Sequence, residues 1–321
     1  MENAELYSAA SGMQKKDAEE ILTEFRDKLN WSRNVRILDV GCGSGEVTTE
    51  IILPQLPKDF QEMIGLDVSI DMVKHARNVH SQFNVNFIQF DIAKKSDQIT
   101  REIMKSIGIS KNINPHQKEK QKPDDENIKT ATSSRMIVDY QGISPLDNKK
   151  NPEFDIVFSF YCLHWVTNQK VALRNIFKLL KPGGEALFTF LAQSPIFTLY
   201  RALSKTTPWK DYMQDVEQYI PFYQDADSPV EKFVEMVKAI GFTVLTSECR
   251  ERDYVFENSS SLRNAIVAVN PFLSRIPSSL RKDYISECLY QTKILNLVSV
   301  KNNRYRVTYK LMVAHVKKPE P

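Results

Sequence analysis

The stretch Val35-Arg36-Ile37-Leu38-Asp39-Val40-Gly41-Cys42-Gly43-Ser44-Gly45-Glu46 decides the fold. Its first half is a short, mostly apolar run of the kind a strand buried on both faces requires. Three glycines at alternate positions follow, which lets the backbone take up positive φ and approach a ligand closely. A helical pattern then runs to about Leu53 and stops at Pro54. A strand that turns on glycines into a helix presents free N–H groups and a positive dipole end to whatever binds there. A dinucleotide turn needs Gly or Ala as its last member. Here that place falls on Glu46, whose charge repels a pyrophosphate. No Gly-Lys-Ser/Thr follows, so a P-loop is excluded as well. Asp39 and Glu46 suit a ligand that carries positive charge.

Outward from this turn the alternation repeats. Met63 to Leu66 reads as a second strand ending at Asp67, Asp71 to Ser81 as a helix, and Asn86 to Phe90 as a third strand ending at Asp91. After an interruption, Phe154 to Phe160 is a fourth strand. Asn168 to Leu180 is a helix stopped by Lys181-Pro182-Gly183-Gly184, and Glu185 to Leu191 is a fifth strand. Upstream, Ala18, Ile21, Leu22, Phe25 and Leu29 form one apolar face of a helix over Gln14 to Leu29. The repeated alternation predicts an α/β fold with a doubly wound parallel sheet. Downstream the pattern predicts a helix over Val230 to Ala239, a sixth strand over Phe242 to Cys249 and helices within Leu262 to Leu297. A last strand, Tyr305 to Val316, is expected antiparallel, at or near an edge.

Composition narrows the class. The 321 residues are 42% apolar and 26% charged with a net charge of +3, ordinary for a folded protein and unlike a strongly basic nucleic-acid binder. The excess is local: residues 94–150 hold 12 Lys/Arg against 8 Asp/Glu, leaving 31 against 32 elsewhere. The Lys-rich centre of that segment is too polar to offset the entropy of ordering it and reads as a surface loop. The four cysteines lack metal-finger or redox-motif spacing and suit a reducing compartment, and no metal site is expected. The N-terminus shows no signal peptide, and the longest uncharged stretch, Ala186 to Tyr200, is shorter than the roughly 20 residues a bilayer span needs. These features predict a cytoplasmic protein without a membrane span; oligomeric state is not legible.

Three acidic residues, Asp39, Asp67 and Asp91, stand at the carboxyl ends of three adjacent strands and converge on one crevice. Asp67, 22 residues after Gly45, can accept both hydroxyls of a ribose. Asp91, with Ile92 beside it, can accept an adenine amino group while the isoleucine covers the ring. Leu38 to Gly45, Gly65-Leu66-Asp67-Val68-Ser69, Phe90-Asp91-Ile92-Ala93, Phe154 to Ser159 and Leu180 to Gly184 together resemble the successive motifs of class I S-adenosyl-L-methionine-dependent methyltransferases. The resemblance implies a Rossmann-like sheet with a terminal antiparallel strand and a helical cap. By it, Asp39 and the turn of Gly41, Cys42, Gly43 and Gly45 hold the methionine part, Asp67 the ribose, and Asp91 with Ile92 the adenine. Val68, Met72 and Ser159 complete the cofactor-binding set. It also implies one methyltransferase domain over 1–321. Its parts are an N-terminal helical segment (1–34), a cofactor-binding core (35–191), an inserted loop (97–149), a substrate cap (192–228 and 258–300) and closing strands (242–249 and 305–316).

The acceptor is read after the fourth strand. Ser159-Phe160-Tyr161-Cys162-Leu163-His164-Trp165 lacks the Asn/Asp-Pro-Pro-Tyr signature of base-amine and amide methylases. Asn3-Ala4-Glu5-Leu6-Tyr7, Gln14-Lys15 and Ser159 to Val166 resemble insect juvenile hormone acid O-methyltransferases, which methylate farnesoic acid or juvenile hormone acid. The resemblance assigns Gln14 and Trp165 as donors to the substrate carboxylate, with His164 nearby; core packing remains the plain alternative for His164, and helix capping for Gln14. A carboxylic acid is already ionised at pH 7, so no general base is required and the protein's task is orientation. Phe188, Phe190, Phe197, Leu199, Tyr200, Leu203, Trp209, Tyr212, Met213, Tyr219, Phe222 and Tyr223 are dense enough to line a slot for a branched C15 chain, or to form the core of a helical cap. Two rivals remain: a methyltransferase for a small polyacid, as in the trans-aconitate methyltransferases, and a cofactor-binding protein without catalysis.

Overall fold

The computed structural model describes residues 4–95, 103 and 154–321. The expected loop, 97–149, lies outside the described residues apart from Ile103. Strands β1 (Arg36–Val40), β2 (Glu62–Asp67), β3 (Val85–Gln89), β4 (Phe154–Phe160) and β5 (Leu180–Gln193) are parallel. β6 (Thr243–Phe256) and β8 (Arg304–Lys317) complete the sheet in the order β3-β2-β1-β4-β5-β8-β6, and β7 (Ser299–Lys301) pairs with β8. β8 runs antiparallel to both β5 and β6. It is thus the second strand from one edge, and β6 is the edge strand.

The period-2 alternation of the strands separates their side chains into two cores. Ile37, Ile156, Phe158, Leu187 and Leu191 face one side, and Leu38, Val40, Val157, Phe188 and Phe190 the other. The first side packs against α2 (Gly12–Phe25) through Ala18, Ile21, Leu22 and Phe25. Alongside α2 it carries α5 (Pro195–Leu203), α7 (Ser259–Ala268) and α8 (Arg281–Ile294). The second side is covered by α4 (Gln169–Leu179) and α6 (Pro229–Ile240). A short helix, α1 (Ala4–Ala10), precedes α2, and α3 (Ile70–Val79) joins β2 to β3.

Several boundaries differ from the sequence reading. The segment after the glycine turn is a π-helical stretch, Val47–Ile52, followed by a 3₁₀ turn, Leu53–Gln55, that carries Pro54. β5 begins at Leu180, and Lys181–Gly184 bulge out between the pairs Phe154–Leu180 and Ile156–Glu185. β6 continues well past Cys249 and pairs along β8 as far as Phe256 with Tyr305. The hairpin from β7 to β8 turns on Asn302 and Asn303, at φ of 51° and 60°. Asparagine tolerates that left-handed pair, so this missed hairpin did carry a local signal. No described helix is long and apolar enough to cross a membrane.

Candidate active site

The glycine turn fits between β1, β2 and β4 because side chains there would collide. Gly41 sits at φ 79°, and a Cβ on it would come within 2.3 Å of Cys162. The Gly41 and Cys42 N–H groups both donate to the Leu66 carbonyl, at 2.7 and 3.0 Å, which locks the turn to the end of β2. Gly43 N–H donates to one oxygen of Asp67 (3.0 Å) and Ser69 N–H to the other (2.8 Å). A carboxylate offers about four lone-pair sites, so two remain for vicinal hydroxyls.

The three carboxylates stand near a common side chain, Cys162. Burial pushes the Cys162 thiol up to about 12, Asp67 adds to it against a hydrogen bond from Ser159, and Asp39 and Asp91 contribute further. All three charges are therefore felt at one side chain. Asp39 is buried and accepts a 2.6 Å hydrogen bond from Thr48; burial raises its carboxyl to about 7, opposed by that bond and assisted by Asp67. Burial also raises Asp67, against its two backbone donors. At Glu46 burial works upward, but hydrogen bonds from Ser44 and Ser8 and the nearby His80 outweigh it and hold the carboxyl below its usual range. Glu46 Oε1 is buried and has no hydrogen-bond partner among the described residues, with His80 Nε2 3.7 Å and His75 Nε2 3.9 Å away. Carboxylates grouped beside a glycine turn fit a cationic ligand with hydroxyls, such as an aminoacyl sulfonium nucleoside.

The remaining cofactor-set residues are placed less uniformly. Asp91 is exposed and accepts a hydrogen bond from Ala93 N–H (2.8 Å), while Ile92 is buried with its carbonyl held by Asn175. Val68 is exposed at the rim. Met72 is on the buried face of α3, and Ser159 donates to the Val40 carbonyl, tying β4 to β1. Both are fully buried, so neither presents surface to the crevice.

A second cavity adjoins. Gln14, His164 and Trp165, assigned from three separate stretches of sequence, line it together with Tyr7, Tyr161 and Ser194. Its other walls are mostly aliphatic, with Met13 of α2, Leu191 of β5, Ile196 and Leu199 of α5, Leu262 and Ile266 of α7, Val298 before β7 and Val307 of β8, joined by Phe256 of β6 and Thr292 of α8. Its open interior is about 90 Å³, a narrow slot. Burial depresses the His164 imidazole to about 3, so the ring is neutral, and Leu191 N–H donates to Nδ1 at 3.3 Å. The proton is thereby assigned to Nε2, which is left as a donor. The indole N–H of Trp165 also has no partner among the described residues, while Gln14 Oε1, an acceptor, is buried and unpartnered there, so it is the amide nitrogen of Gln14 that serves as a donor. The site therefore offers neutral donors in apolar surroundings.

Of the two parts open to the aromatic-rich stretch, wall of a slot or core of a cap, the structure favours the second. Of those twelve residues Leu199 alone lines the cavity. Phe190 packs on Tyr223 and Phe233, Tyr200 and Tyr219 on Phe272, and Trp209 on Tyr284, while Phe222 is exposed. Rings pack on one another, edge to face around Phe272 and Tyr284 and tilted around Phe190, and build a core of their own. Much of the slot is left to side chains from beyond residue 255, mostly aliphatic, where no cluster marked them in the sequence. Tyr7 was missed as well. Its ring lies 3.5 Å from where a Cβ on Gly43 would stand, and it lines the cavity, so it touches both halves of the site. α1, which carries it, packs on α3 at one end of the site and on α7 at the other.

This arrangement of sheet order, glycine turn and three strand-end carboxylates defines a class I methyltransferase. The chain belongs to the methyltransferase-domain family, whose model matches residues 8–247, and S-adenosyl-L-methionine is its cofactor. Among relatives, it is 32% identical over 324 residues to the juvenile hormone acid O-methyltransferase of Drosophila melanogaster, covering 99% of this chain and 93% of that one. It is 28% identical over 325 residues to the enzyme of the same name from Bombyx mori, covering 99% and 98%. In fold it resembles the crystal structure of the YcgJ protein from Bacillus subtilis (TM-score 0.51, 14% identity, 94% of this chain and 99% of that one).

Proposed function

We propose that the chain esterifies the carboxylate of a hydrophobic sesquiterpenoid acid, farnesoic acid or juvenile hormone acid, in juvenile hormone biosynthesis. The observation that carries the reading is the slot. It is largely apolar along its walls, presents Gln14, Trp165 and neutral His164 as hydrogen-bond donors, and is joined to the glycine turn by Tyr7. The names of the two curated relatives agree with it.

Asp39, Gly43 and Asp67 hold the cofactor, which when bound supplies a methyl group on a cationic sulfur. The chain's own residues then have three tasks. The aliphatic walls take up the acid's tail, and burial of a C15 chain at ~25 cal/mol per Å² contributes several kcal/mol. Gln14 and Trp165 orient the carboxylate through the side-chain amide and the indole N–H, and neutral His164 adds Nε2–H. Neutral donors orient the anion without over-stabilising it, whereas a cation there would hold the ground state too firmly.

A polyacid substrate is disfavoured because no Lys or Arg among the described residues lines the slot, and the cap cation Arg201 is already paired with Glu217 and Asp225. The test is methyl transfer from labelled cofactor to farnesoic acid, juvenile hormone acid and a tricarboxylic acid in parallel. Label in a sesquiterpenoid methyl ester supports the reading. Label in the polyacid ester alone, or binding of cofactor without turnover on any acid, refutes it.

A further inference from the structure

Beneath the clamp lies a buried polar knot that the functional reading does not use. Asp17 of α2 is 1% exposed. Its Oδ2 accepts hydrogen bonds from the hydroxyls of Tyr161 and, at 2.7 Å, Tyr309, and its Oδ1 faces Arg252 at 2.8 Å. Arg252 also pairs with Glu20 of the same helix. One carboxylate thus joins α2, the end of β4, and the β6–β8 pair.

Two features make this more than a structural tie. Gln14 and Asp17 are three residues apart on α2 and so lie on one face of the helix. Fixing Asp17 therefore fixes the azimuth from which Gln14 reaches the slot. Tyr161 is the residue at which β4 gives way to the 3₁₀ turn Leu163–Trp165, and it stands at φ 56°. The other described non-glycine residues with positive φ are all asparagines. A tyrosine pays a steric penalty there that asparagine largely escapes, and such strain persists where the surroundings over-determine it. Here the surroundings are the hydroxyl bond to Asp17 and the N–H bond to the Thr189 carbonyl at 2.8 Å. His164 and Trp165 follow directly from this strained residue, and the His164 ring packs edge-on against that of Tyr161, with centroids 6.0 Å apart.

We propose that Asp17 is a positioning residue: through Tyr161 it sets the turn carrying His164 and Trp165, and through α2 it sets Gln14, so that both halves of the acid clamp share one reference point. The inference rests on the clamp reading and deepens it. Asp17 touches neither acid nor cofactor; it acts through the groups it holds. A misplacement of about 1 Å in an orienting group is enough to lower turnover by up to about 100-fold.

The test compares two variants that each remove one hydroxyl from the same carboxylate oxygen, Tyr161→Phe and Tyr309→Phe, in the full chain. For each, kcat and KM for the acid, cofactor affinity and Tm are measured. The expected result is a fall in kcat of about tenfold for Tyr161→Phe and several-fold less for Tyr309→Phe, with cofactor affinity unchanged in both. In a Gln14→Ala background the Tyr161→Phe effect should shrink, because the clamp is already broken on one side. Asp17→Asn, which keeps an acceptor for the tyrosines but loses the charge facing Arg252, should lower kcat at a temperature where the variant is folded. Equal kcat losses in the two tyrosine variants, or a lowered Tm with kcat intact, would overturn the proposal. If Gln14→Ala itself leaves turnover unchanged, the clamp reading fails, and that result is distinct from the failure of Asp17 as its anchor.

Discussion

The two halves of the site are built by opposite means. The cofactor half is local: its turn is five consecutive residues, its carboxylates end consecutive strands, and they are held by backbone N–H groups at Asp67 and Asp91 and by the Thr48 hydroxyl at Asp39. The slot is distributed: its walls come from α1, α2, β5, α5, α7, α8 and the β6–β8 arm, and it is held by aliphatic packing. A local site tolerates change elsewhere and fails at single atoms. A distributed site tolerates single changes and is tuned by volume. The contrast is broken if substitutions in one half disturb the other, and sharpened if each half fails alone.

The largest effect is expected at Asp67. Asp67→Ala removes the acceptor that the Gly43 and Ser69 N–H groups position, and cofactor affinity by calorimetry should fall about 100-fold. Next is Trp165→Phe, which deletes the indole N–H and keeps a ring against His164. Turnover should fall about 20-fold with cofactor affinity unchanged. The third is a pH effect. Burial, with Asp67 assisting, raises Asp39 to about 7, so this carboxyl is largely protonated at pH 6 and ionised at pH 8. A cationic ligand favours the ionised form. Affinity is therefore full above about 7 and lost as the pH falls through it, by about tenfold between pH 8 and 6, and this part should vanish in Asp39→Asn. His164, held near 3 by burial, should add no limb to the rate profile near pH 6.5, the ordinary histidine value. The smallest effect is expected at Ala265→Phe, which intrudes on the slot from α7. KM for a long acid should rise about fivefold while cofactor affinity stays.

The same contrast explains what was legible in the sequence. Leu38 to Gly45, Asp67 and Asp91 were readable because strand, turn and acidic terminus are written contiguously. The continuous apolar run of β4, Phe154–Phe160, likewise fixed its own bounds. The slot was not readable. Leu262, Ile266, Val298 and Val307 meet only after the chain has folded across β6 and β8, and nothing in their local pattern separates a cavity wall from a core. The aromatics left two readings open for a related reason: density along the chain reports a need for burial, not what is buried against what, and those rings bury one another. Tyr161 and Asp17 sit 144 residues apart and carry no motif, so their pairing waited for the fold.

The central claim is that this aliphatic slot, and not a charged pocket, decides which acid is methylated. It is tested most directly by kcat/KM over a series of branched monocarboxylic acids of increasing chain length, with saturating cofactor. The account predicts a rise of up to about fourfold per added methylene, at ~0.8 kcal/mol each, until the slot is full, with cofactor affinity constant along the series. A series flat in chain length, or one in which added carboxylates rather than added methylenes raise the rate, would contradict it.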